Sequence, residues 1–163
     1  MAILIQLRDV TPDDLPIFFE FQLDPDANYM AAFTAKDPSD REAFDTHWEK
    51  ILGSEAIAKK TILFKDNVVG YLLQFHQFGH TEVAYWIDKD YWGKGIATQA
   101  LTAFLTEIDI HPLYARAAKD NLGSIRVLEK CGFRIDSEDK GYANARGKEI
   151  EEYVLKLDLS TTS

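Results

Sequence analysis

Residues 61–87 carry the pattern that most narrows the possible folds. Three segments rich in β-branched and aromatic residues, TILF, VVGYLLQF and TEVAYWI, are separated by short turn-forming stretches, Lys65-Asp66-Asn67 and Phe78-Gly79-His80. Segments of this composition are typical of strands, and turns this short join strands that lie antiparallel in one sheet. We therefore expect three consecutive antiparallel strands in the middle of the chain.

Helical signals precede these strands. Thr11-Pro12-Asp13-Asp14 combines a hydroxyl N-cap, a proline at N1 and acid in the first turn, and predicts a helix that continues to about Gln22. Ser39-Asp40-Arg41-Glu42 is an S-x-x-E capping box and predicts a second helix. The segment between them, LDPDANYMAAFTAKDP, is predicted to be irregular because it contains two prolines.

Strands and helices alternate in the rest of the chain. An apolar stripe predicts a helix from Ile96 to Ile108, and Asn121 is predicted to cap a shorter helix that Gly132 ends. Further strands are predicted at Ile3–Val10, 112–120, Phe133–Ser137 and Ile150–Leu159. The order β-α-α-β-β-β-α-β-α-β-β predicts a mixed α/β or α+β fold.

The composition predicts one domain without disulfides. The chain has 163 residues, 46% of them hydrophobic and 28% charged, which is ordinary for a single soluble domain. We assign residues 1–159 to that domain and residues 160–163 to a flexible C-terminal tail. Cys131 is the single cysteine and the four histidines have no metal-binding spacing, so we expect no metal.

The net charge and the hydropathy limit the classes of partner that the protein is expected to bind. A formal net charge of −9 argues against nucleic acid, since phosphate neutralisation needs a basic face. No apolar run approaches the roughly 18 residues of a membrane span, and MAILIQLRDV lacks the basic n-region of a signal peptide. We therefore expect no membrane partner and a cytoplasmic location. The acidic charge suits a cationic substrate such as an amine, although it also serves solubility alone.

The segment Tyr85–Leu105 passes from a strand through Gly93-Lys94-Gly95 directly into a helix. Glycines allow unusual backbone dihedrals and close approach of a ligand. The first N–H groups of a helix are unpaired and carry partial positive charge, which favours phosphate. Lys94 adds charge and Thr98 a hydroxyl donor. The alternative is a plain strand-to-helix turn in which the glycines serve sterics alone.

This turn departs from two common nucleotide-binding loops. A Walker A loop requires Ser or Thr after its lysine, but Gly95 follows Lys94. A dinucleotide fingerprint requires Gly or Ala in its third position, which Thr98 occupies, although Asp120 lies near the place of a ribose-binding acid. A nucleotide-dependent enzyme therefore remains an alternative.

Two segments, YWIDKDYWGKGIATQAL and AAKDNLGSIRVLEKCGF, resemble the signature segments of the GCN5-related N-acetyltransferases (GNAT), in particular the branch that acetylates ribosomal-protein N-termini. The first is similar to the family's Q/R-x-x-G-x-G/A loop, with Asp90 in place of Gln or Arg. The second is similar to its N-x-x-S…E-K-x-G-F helix. The resemblance runs from Leu4 to Leu159 in element order. It implies the GNAT acyl-CoA N-acyltransferase fold, with a largely antiparallel twisted sheet flanked by helices.

The resemblance also implies a site for acetyl-CoA. Backbone N–H groups of the turn would surround the pyrophosphate, which assigns to this site Gly93, Lys94, Gly95, Ile96, Ala97 and Thr98. The pantetheine arm would lie along the strand at Trp86 and Ile87 like an added strand. Asn121 would reach that arm while capping its helix. Lys130 is a candidate for the nucleotide phosphate, with a solvated helix face as its alternative.

Two side chains are candidates for the chemistry. The family often has a glutamate at the position of Glu82 that accepts the amine's proton, and the alternative is an exposed polar residue on a half-solvated strand. Many relatives donate a proton to the leaving thiolate from a tyrosine, but Leu128 occupies that place here. Ser124 is therefore the predicted substitute, unless it is only an ordinary residue of the first helical turn.

Tyr29, Met30 and Phe33 are predicted to line the acceptor pocket, with a mobile lid or plain packing as the alternatives. The resemblance adds His47, because the second helix borders the acceptor site in the family. The predicted function is transfer of an acetyl group from acetyl-CoA to a primary amine, a peptide N-terminus or a small amine, by direct attack in a ternary complex. The family suggests a homodimer as a possible assembly. The alternative function is a non-catalytic acyl-CoA-binding sensor, which the missing tyrosine favours.

Overall fold

The computed structural model of the chain describes residues 4–158. The strands are β1 Ile5–Asp9, β2 Ala58–Phe64, β3 Asn67–Gln77, β4 His80–Ile87, β5 Leu113–Ala118, β6 Arg134–Ala143 and β7 Lys148–Leu157. The helices are α1 Leu15–Leu23, α2 Pro25–Ala31, α3 Arg41–Gly53, α4 Ile96–Leu105 and α5 Leu122–Lys130, with short 3-10 helices at Pro12–Asp14 and Lys89–Tyr91.

The strands form a mixed, seven-stranded sheet in the order β1-β2-β3-β4-β5-β7-β6. Neighbouring strands are antiparallel except β4 and β5, which are parallel and are joined through α4. The strands β2, β3 and β4 are the three antiparallel strands predicted from residues 61–87. The predicted mixed α/β architecture with a largely antiparallel sheet is therefore confirmed.

Helices cover both faces of the sheet, and β4 shows which residues face which side. Val83 and Ile87 belong to the larger core, which α4 and α5 cover. Trp86 packs against a second core, built from α1 and α3. Glu82 lies on the same face as Trp86, as the period of two predicts, but its carboxylate is buried, contrary to the alternative of an exposed polar residue.

The strands β4 and β5 part almost at once. They share a single register pair, Glu82 with Tyr114, whereas β4 pairs with β3 at eight positions. The Asp88 N–H donates to the Val69 carbonyl at 2.8 Å. Because hydrogen bonding alternates along an antiparallel strand, the N–H and C=O of Tyr85 then point away from β3 and into the gap.

The stretch that was predicted to be irregular contains a helix, α2. Asp24 caps this helix by accepting the N–H groups of Asp26 and Ala27 at 2.9 and 3.0 Å. Pro25 stands at the first helical position, where its missing N–H costs nothing. The proline was therefore a helix-start signal and not a sign of irregular structure.

The predicted capping box at Ser39 is wrong by one residue. The helix α3 begins at Arg41, and Asp40 caps it by accepting the Ala43 N–H at 3.0 Å. Ser39 instead donates its hydroxyl to Asp37 at 2.7 Å, outside the helix. A carboxylate next to a serine offered a second cap, and the carboxylate is used.

The strand predicted to end at Ser137 continues as β6 to Ala143, because its hairpin with β7 supplies a partner along its whole length. Three predicted features lie partly or wholly outside the described residues: Ile3 of the first strand, Leu159 of the last one, and the tail 160–163. No helix between residues 4 and 158 is long and apolar enough to cross a bilayer.

Asp14 ties the start of the helical layer to the sheet. Its buried carboxylate accepts two hydrogen bonds from Arg8 on β1, both at 2.8 Å, one from the Thr61 hydroxyl on β2 at 2.7 Å and one from the Thr11 N–H at 3.0 Å. Burial alone would raise the pKa of Asp14, but these hydrogen bonds outweigh it and lower the pKa.

Replacing Asp14 by asparagine should lower the free energy of unfolding by about 2 kcal/mol near neutral pH, because a charged acceptor of several buried hydrogen bonds is lost. Since the folded pKa of Asp14 is lowered, its contribution is complete above the ordinary value of 3.8 and is lost as the pH falls through the folded value. The difference between the two proteins should shrink in the same range.

Urea denaturation followed by circular dichroism measures both effects. The matched control is Asp13→Asn, which removes the same charge from the exposed neighbouring residue. Equal stability losses in the two variants would contradict the assigned role of Asp14.

Candidate active site

A cleft of about 1590 Å³ runs along the gap between β4 and β5. One end lies at the N-terminus of α4, where Gly93 and Gly95 line it, and its middle passes Tyr85 and Ser124. The other end opens on the face of β5 and β7 near Arg116. The gap therefore connects the turn that favours phosphate to a charged pocket on the opposite side.

The turn before α4 has the backbone that its glycines predict. Gly93 and Gly95 have φ values of 77° and 79°, and a Cβ on either one would meet no atom within 4 Å, so the space outside the backbone is open. The first helical hydrogen bond is donated by Gln99 to the Gly95 carbonyl at 3.1 Å. The N–H groups of Ile96, Ala97 and Thr98 therefore have no acceptor within the helix and are available to an anion.

The other members of the predicted phosphate set differ in what they offer. The side chain of Ile96 is buried in the core, so only its backbone can take part. Lys94 is exposed beside the cleft, while Lys130 and Arg126 are exposed on α5 and line it. These cations give the end of the cleft at α4 a positive charge.

Tyr85 presents both of its peptide groups to the gap, whereas Trp86 presents neither and Ile87 presents only its N–H. The Ile87 carbonyl accepts the indole N–H of Trp92 at 2.9 Å, and the peptide groups of Trp86 face β3 by the same alternation that places those of Tyr85. From the sequence, the coenzyme arm was assigned to Trp86 and Ile87 and not to Tyr85, although the alternation in TEVAYWI would have pointed to Tyr85 once the neighbour of β4 was known.

Ser124 and Asn121 meet Tyr85 at the middle of the cleft. The Tyr85 hydroxyl lies 2.9 Å from the Ser124 hydroxyl, and burial raises the pKa of Tyr85 to about 12, so the phenol stays protonated at neutral pH. Asn121 accepts the Ser124 N–H at 3.2 Å, which confirms its predicted capping role, and its amide donates to the Met30 carbonyl at 3.3 Å.

Glu82 is one of three carboxylates around Arg116 on β5. Arg116 donates to Glu82 at 3.1 Å, to Asp139 on β6 at 3.1 Å and to Glu152 on β7 at 3.2 Å. The Gln77 amide also donates to Glu82, at 3.3 Å. No local sequence pattern pointed to Arg116 or Glu152, because only strand pairing brings them together with Glu82.

The predicted acceptor residues fall into two groups. Met30, Phe33 and His47 line the cleft, and burial together with nearby Lys50 lowers the pKa of His47 and favours its neutral form. Tyr29 instead lies outside the cleft lining: its ring packs under the guanidinium of Arg146, whose carbon lies 3.9 Å from the ring centre.

Arg146 fastens α2 to the rest of the site. It donates to the Tyr29 carbonyl at 2.7 Å and to both carboxylate oxygens of Asp120, at 2.8 and 3.0 Å, with a side chain only 4% exposed. Both carboxylate oxygens of Asp120, a partial match to a ribose-binding acid, are therefore already bound by Arg146. Among the described residues, no cluster of His, Cys, Asp and Glu side chains has the geometry to hold a metal ion.

The chain is similar to a family model, to curated relatives and to solved structures. The sequence model of the family described as "Acetyltransferase (GNAT) domain" matches residues 5–134. The uncharacterized N-acetyltransferase p20 of Bacillus licheniformis is 24% identical over 167 residues, which cover 94% of this chain and 92% of that protein.

Two solved structures share the fold. Spermidine N-acetyltransferase from Vibrio cholerae, in complex with CoA and spermine, has a TM-score of 0.82 at 17% identity, with 96% of each chain covered. Mycobacterium smegmatis RimJ, in complex with CoA-disulfide, has a TM-score of 0.81 at 20% identity, covering 97% of this chain and 83% of that one. At these identities the likeness establishes the fold alone.

Proposed function

The chain belongs to the GNAT acetyltransferase family, and we propose that it transfers the acetyl group of acetyl-CoA to a primary amine by direct attack within this cleft. The observation that carries the proposal is the course of the cleft. It begins at unpaired helix N–H groups that suit a diphosphate, follows a strand edge with free peptide groups, and ends among carboxylates that suit an ammonium ion.

The coenzyme site follows from this course. We assign the pyrophosphate to the backbone from Gly93 to Thr98, and we assign the nucleotide phosphate to Lys130, which also lines the cleft. The pantetheine arm runs along the part of β4 that comprises Tyr85, Trp86 and Ile87. Within that part, the peptide groups of Tyr85 are the hydrogen-bonding partners, and Asn121 faces the arm from the start of α5.

In direct acetyl transfer the amine itself is the nucleophile, so the enzyme has to supply a base. An alkyl amine is mostly protonated at neutral pH, so a group must accept its proton before or during attack on the thioester carbon. The new C–N bond forms as the C–S bond breaks, the thiolate leaves, and the proton passes to a carboxylate of the Arg116 group, which includes Glu82, the base proposed from the sequence.

Two features support direct transfer over an acetylated enzyme. Burial raises the pKa of Cys131, which keeps it a neutral thiol, and its sulfur lies against the Thr98 carbonyl and the Thr102 hydroxyl, outside the lining of the cleft. Ser124, hydrogen-bonded to Tyr85, is the proposed donor to the leaving thiolate.

The proposed acceptor is a small amine or a peptide N-terminus. One structural neighbour is a spermidine N-acetyltransferase in complex with spermine. The other is RimJ. We also infer a single catalytic domain, residues 1–159, and keep the cytoplasmic location, the homodimer and the lack of a nucleic-acid partner as predictions from the sequence.

The test of function is thiol release. The protein is incubated with acetyl-CoA and a panel containing spermidine, an alanine-initiated peptide and an amino sugar, and free CoA is followed with a thiol reagent. We expect release that depends on one of the amines. CoA binding without release for any amine would indicate the sensor, and a thermal shift with NAD or ATP but not CoA would indicate a nucleotide-dependent enzyme.

Replacing Gly95 by tryptophan should weaken CoA binding at least tenfold, because the new side chain would occupy the open space at the N-terminus of α4. The positive φ also makes the substitution strained, by roughly 1–2 kcal/mol. Isothermal titration with CoA measures the affinity.

Gly79→Trp is the matched control for this variant. Gly79 has a φ of 78° and the same open surroundings, but it lies in the turn between β3 and β4. The control should lose similar stability and keep its affinity for CoA. Equal losses of affinity in both variants would remove the pyrophosphate from the assigned place.

Ser124→Ala should lower kcat about tenfold or more while leaving the CoA affinity unchanged, because the methyl group removes a donor that acts on the leaving group. The N–H of residue 124 still reaches Asn121, so the helix cap is kept. Ser137→Ala, on the exposed edge strand β6, is the control. Unchanged kcat in the Ser124 variant would exclude this role.

A further inference from the structure

We propose that Glu152 on β7 is the carboxylate that receives the proton from the acceptor amine, and that Arg116 and Glu82 hold it in position. The inference rests on the proposed acetyl transfer and assigns its base to one residue. The sequence pointed to Glu82 alone, and the two glutamates are 70 residues apart in the chain.

The position of Glu152 follows from the pairing of the strands. Glu152 stands opposite Ala118 on β5, so its carboxylate is one strand away from the gap, and the intervening side chain is a single methyl group. The Ala118 carbonyl accepts the Asn121 N–H at 2.9 Å. The pair of Ala118 and Glu152 therefore lies next to the start of α5, beside the assigned pantetheine arm. Glu152 lines the cleft and is 8% exposed.

The hydrogen bonds distinguish the two glutamates. Both oxygens of Glu82 accept a protein donor, Oε2 from Arg116 Nε at 3.1 Å and Oε1 from Gln77 Nε2 at 3.3 Å. Glu152 uses Oε2 for Arg116 Nη1 at 3.2 Å, and within residues 4–158 the structure shows no hydrogen-bond donor on its Oε1. Each oxygen of Glu82 thus already has a protein donor, whereas Oε1 of Glu152 has none and is open to a substrate proton.

The charges around Glu152 complete the argument. It faces Arg116 on β5, Asp139 on β6 and Glu82 on β4, so one guanidinium serves three carboxylates. Burial raises the pKa of Glu152, Arg116 offsets this in part, and the other two carboxylates raise it further. The backbone N–H of Lys140 and then Arg116 lower the pKa of Asp139, which therefore stays ionised.

These conditions suit a proton acceptor. A carboxylate whose pKa is raised toward the working pH gains driving force for accepting a proton while remaining ionised often enough to act. The ammonium form of the acceptor is attracted by the excess negative charge, transfers one proton to Glu152 Oε1, and attacks as the free amine. As the C–N bond forms and the C–S bond breaks, the nitrogen releases its second proton, and the departing thiolate takes up one proton through Ser124, so that the products are the amide and the CoA thiol. Glu152 returns the proton to solvent after the acetylated product leaves.

The pH profile of kcat/KM tests this assignment, using the best acceptor of the amine panel. When an ammonium ion reacts with an ionised base, kcat/KM rises through the pKa of Glu152 and is then level until the amine itself ionises. In Glu152→Gln the acceptor must bind as the free amine. The level region should disappear, and kcat/KM should rise by about one log unit per pH unit up to the amine pKa near ~10.

Glu82→Gln and Glu152→Asp serve as comparison variants. We expect kcat to fall about 100-fold in Glu152→Gln, and Glu82→Gln to keep the level region at a lower rate. Glu152→Asp should also keep it, because a carboxylate remains. Thermal midpoints and CoA affinity show that each variant is folded. If Glu152→Gln does not fold, Glu152→Ala replaces it, and a level region retained in that variant overturns the proposal.

A level region retained in Glu152→Gln, or lost only in Glu82→Gln, would also overturn the assignment while leaving acetyl transfer intact. A wild-type protein that binds CoA but releases no thiol with any amine would overturn the proposed function itself, and with it the base. The two failures are therefore distinguishable.

Discussion

The parting of β4 and β5 after one register pair is the constraint on which the rest of the site depends. Each strand is held on its outer side, β4 by β3 at eight positions and β5 by β7 at six, so neither can bend inward to close the sheet. The inner edges are left with peptide groups that need partners. Because α4 starts at the open end and α5 crosses near the middle, the gap brings helix N–H groups, a free strand edge and two hydroxyl groups into one line.

The same pairing decides where charge can be buried. Arg116 lies on the strand face opposite the main core, where Glu82 from β4 and Glu152 from β7 both reach it. Removing two carboxylates from water without a cation would cost far more than the fold could supply, and the guanidinium makes their burial tolerable. With Asp139 included, the group still carries an excess of negative charge. A cationic acceptor therefore complements the pocket, while Arg116 itself is occupied.

The sequence predicted what depends on local pattern. The meander of β2 to β4, the glycine turn before α4 and the cap at Asn121 all follow from residues close together in the chain, and each was predicted at the observed place. The Arg116 group depends on pairing between β4, β5 and β7, which no local pattern encodes. The helix α2 and the cap of α3 were mispredicted for different reasons. Pro25 was interpreted as a sign of irregular structure, although Asp24 and Pro25 together begin a helix. At α3, Asp40 takes the capping position that was assigned to Ser39.

Asn121 links the two halves of the site. Its side-chain oxygen is fixed by the N–H of Ser124, while its amide holds the Met30 carbonyl at the end of α2. Arg146 holds the same helix through the Tyr29 carbonyl and anchors it to Asp120, the residue next to Asn121. The wall of the proposed acceptor pocket is therefore attached to the turn that faces the proposed coenzyme arm. Because Asn121 holds both that turn and the Met30 carbonyl, we expect a shift of the turn to displace Met30 as well. Such a contact would couple the proposed acceptor site to the proposed coenzyme site, as the proposed transfer within one ternary complex requires.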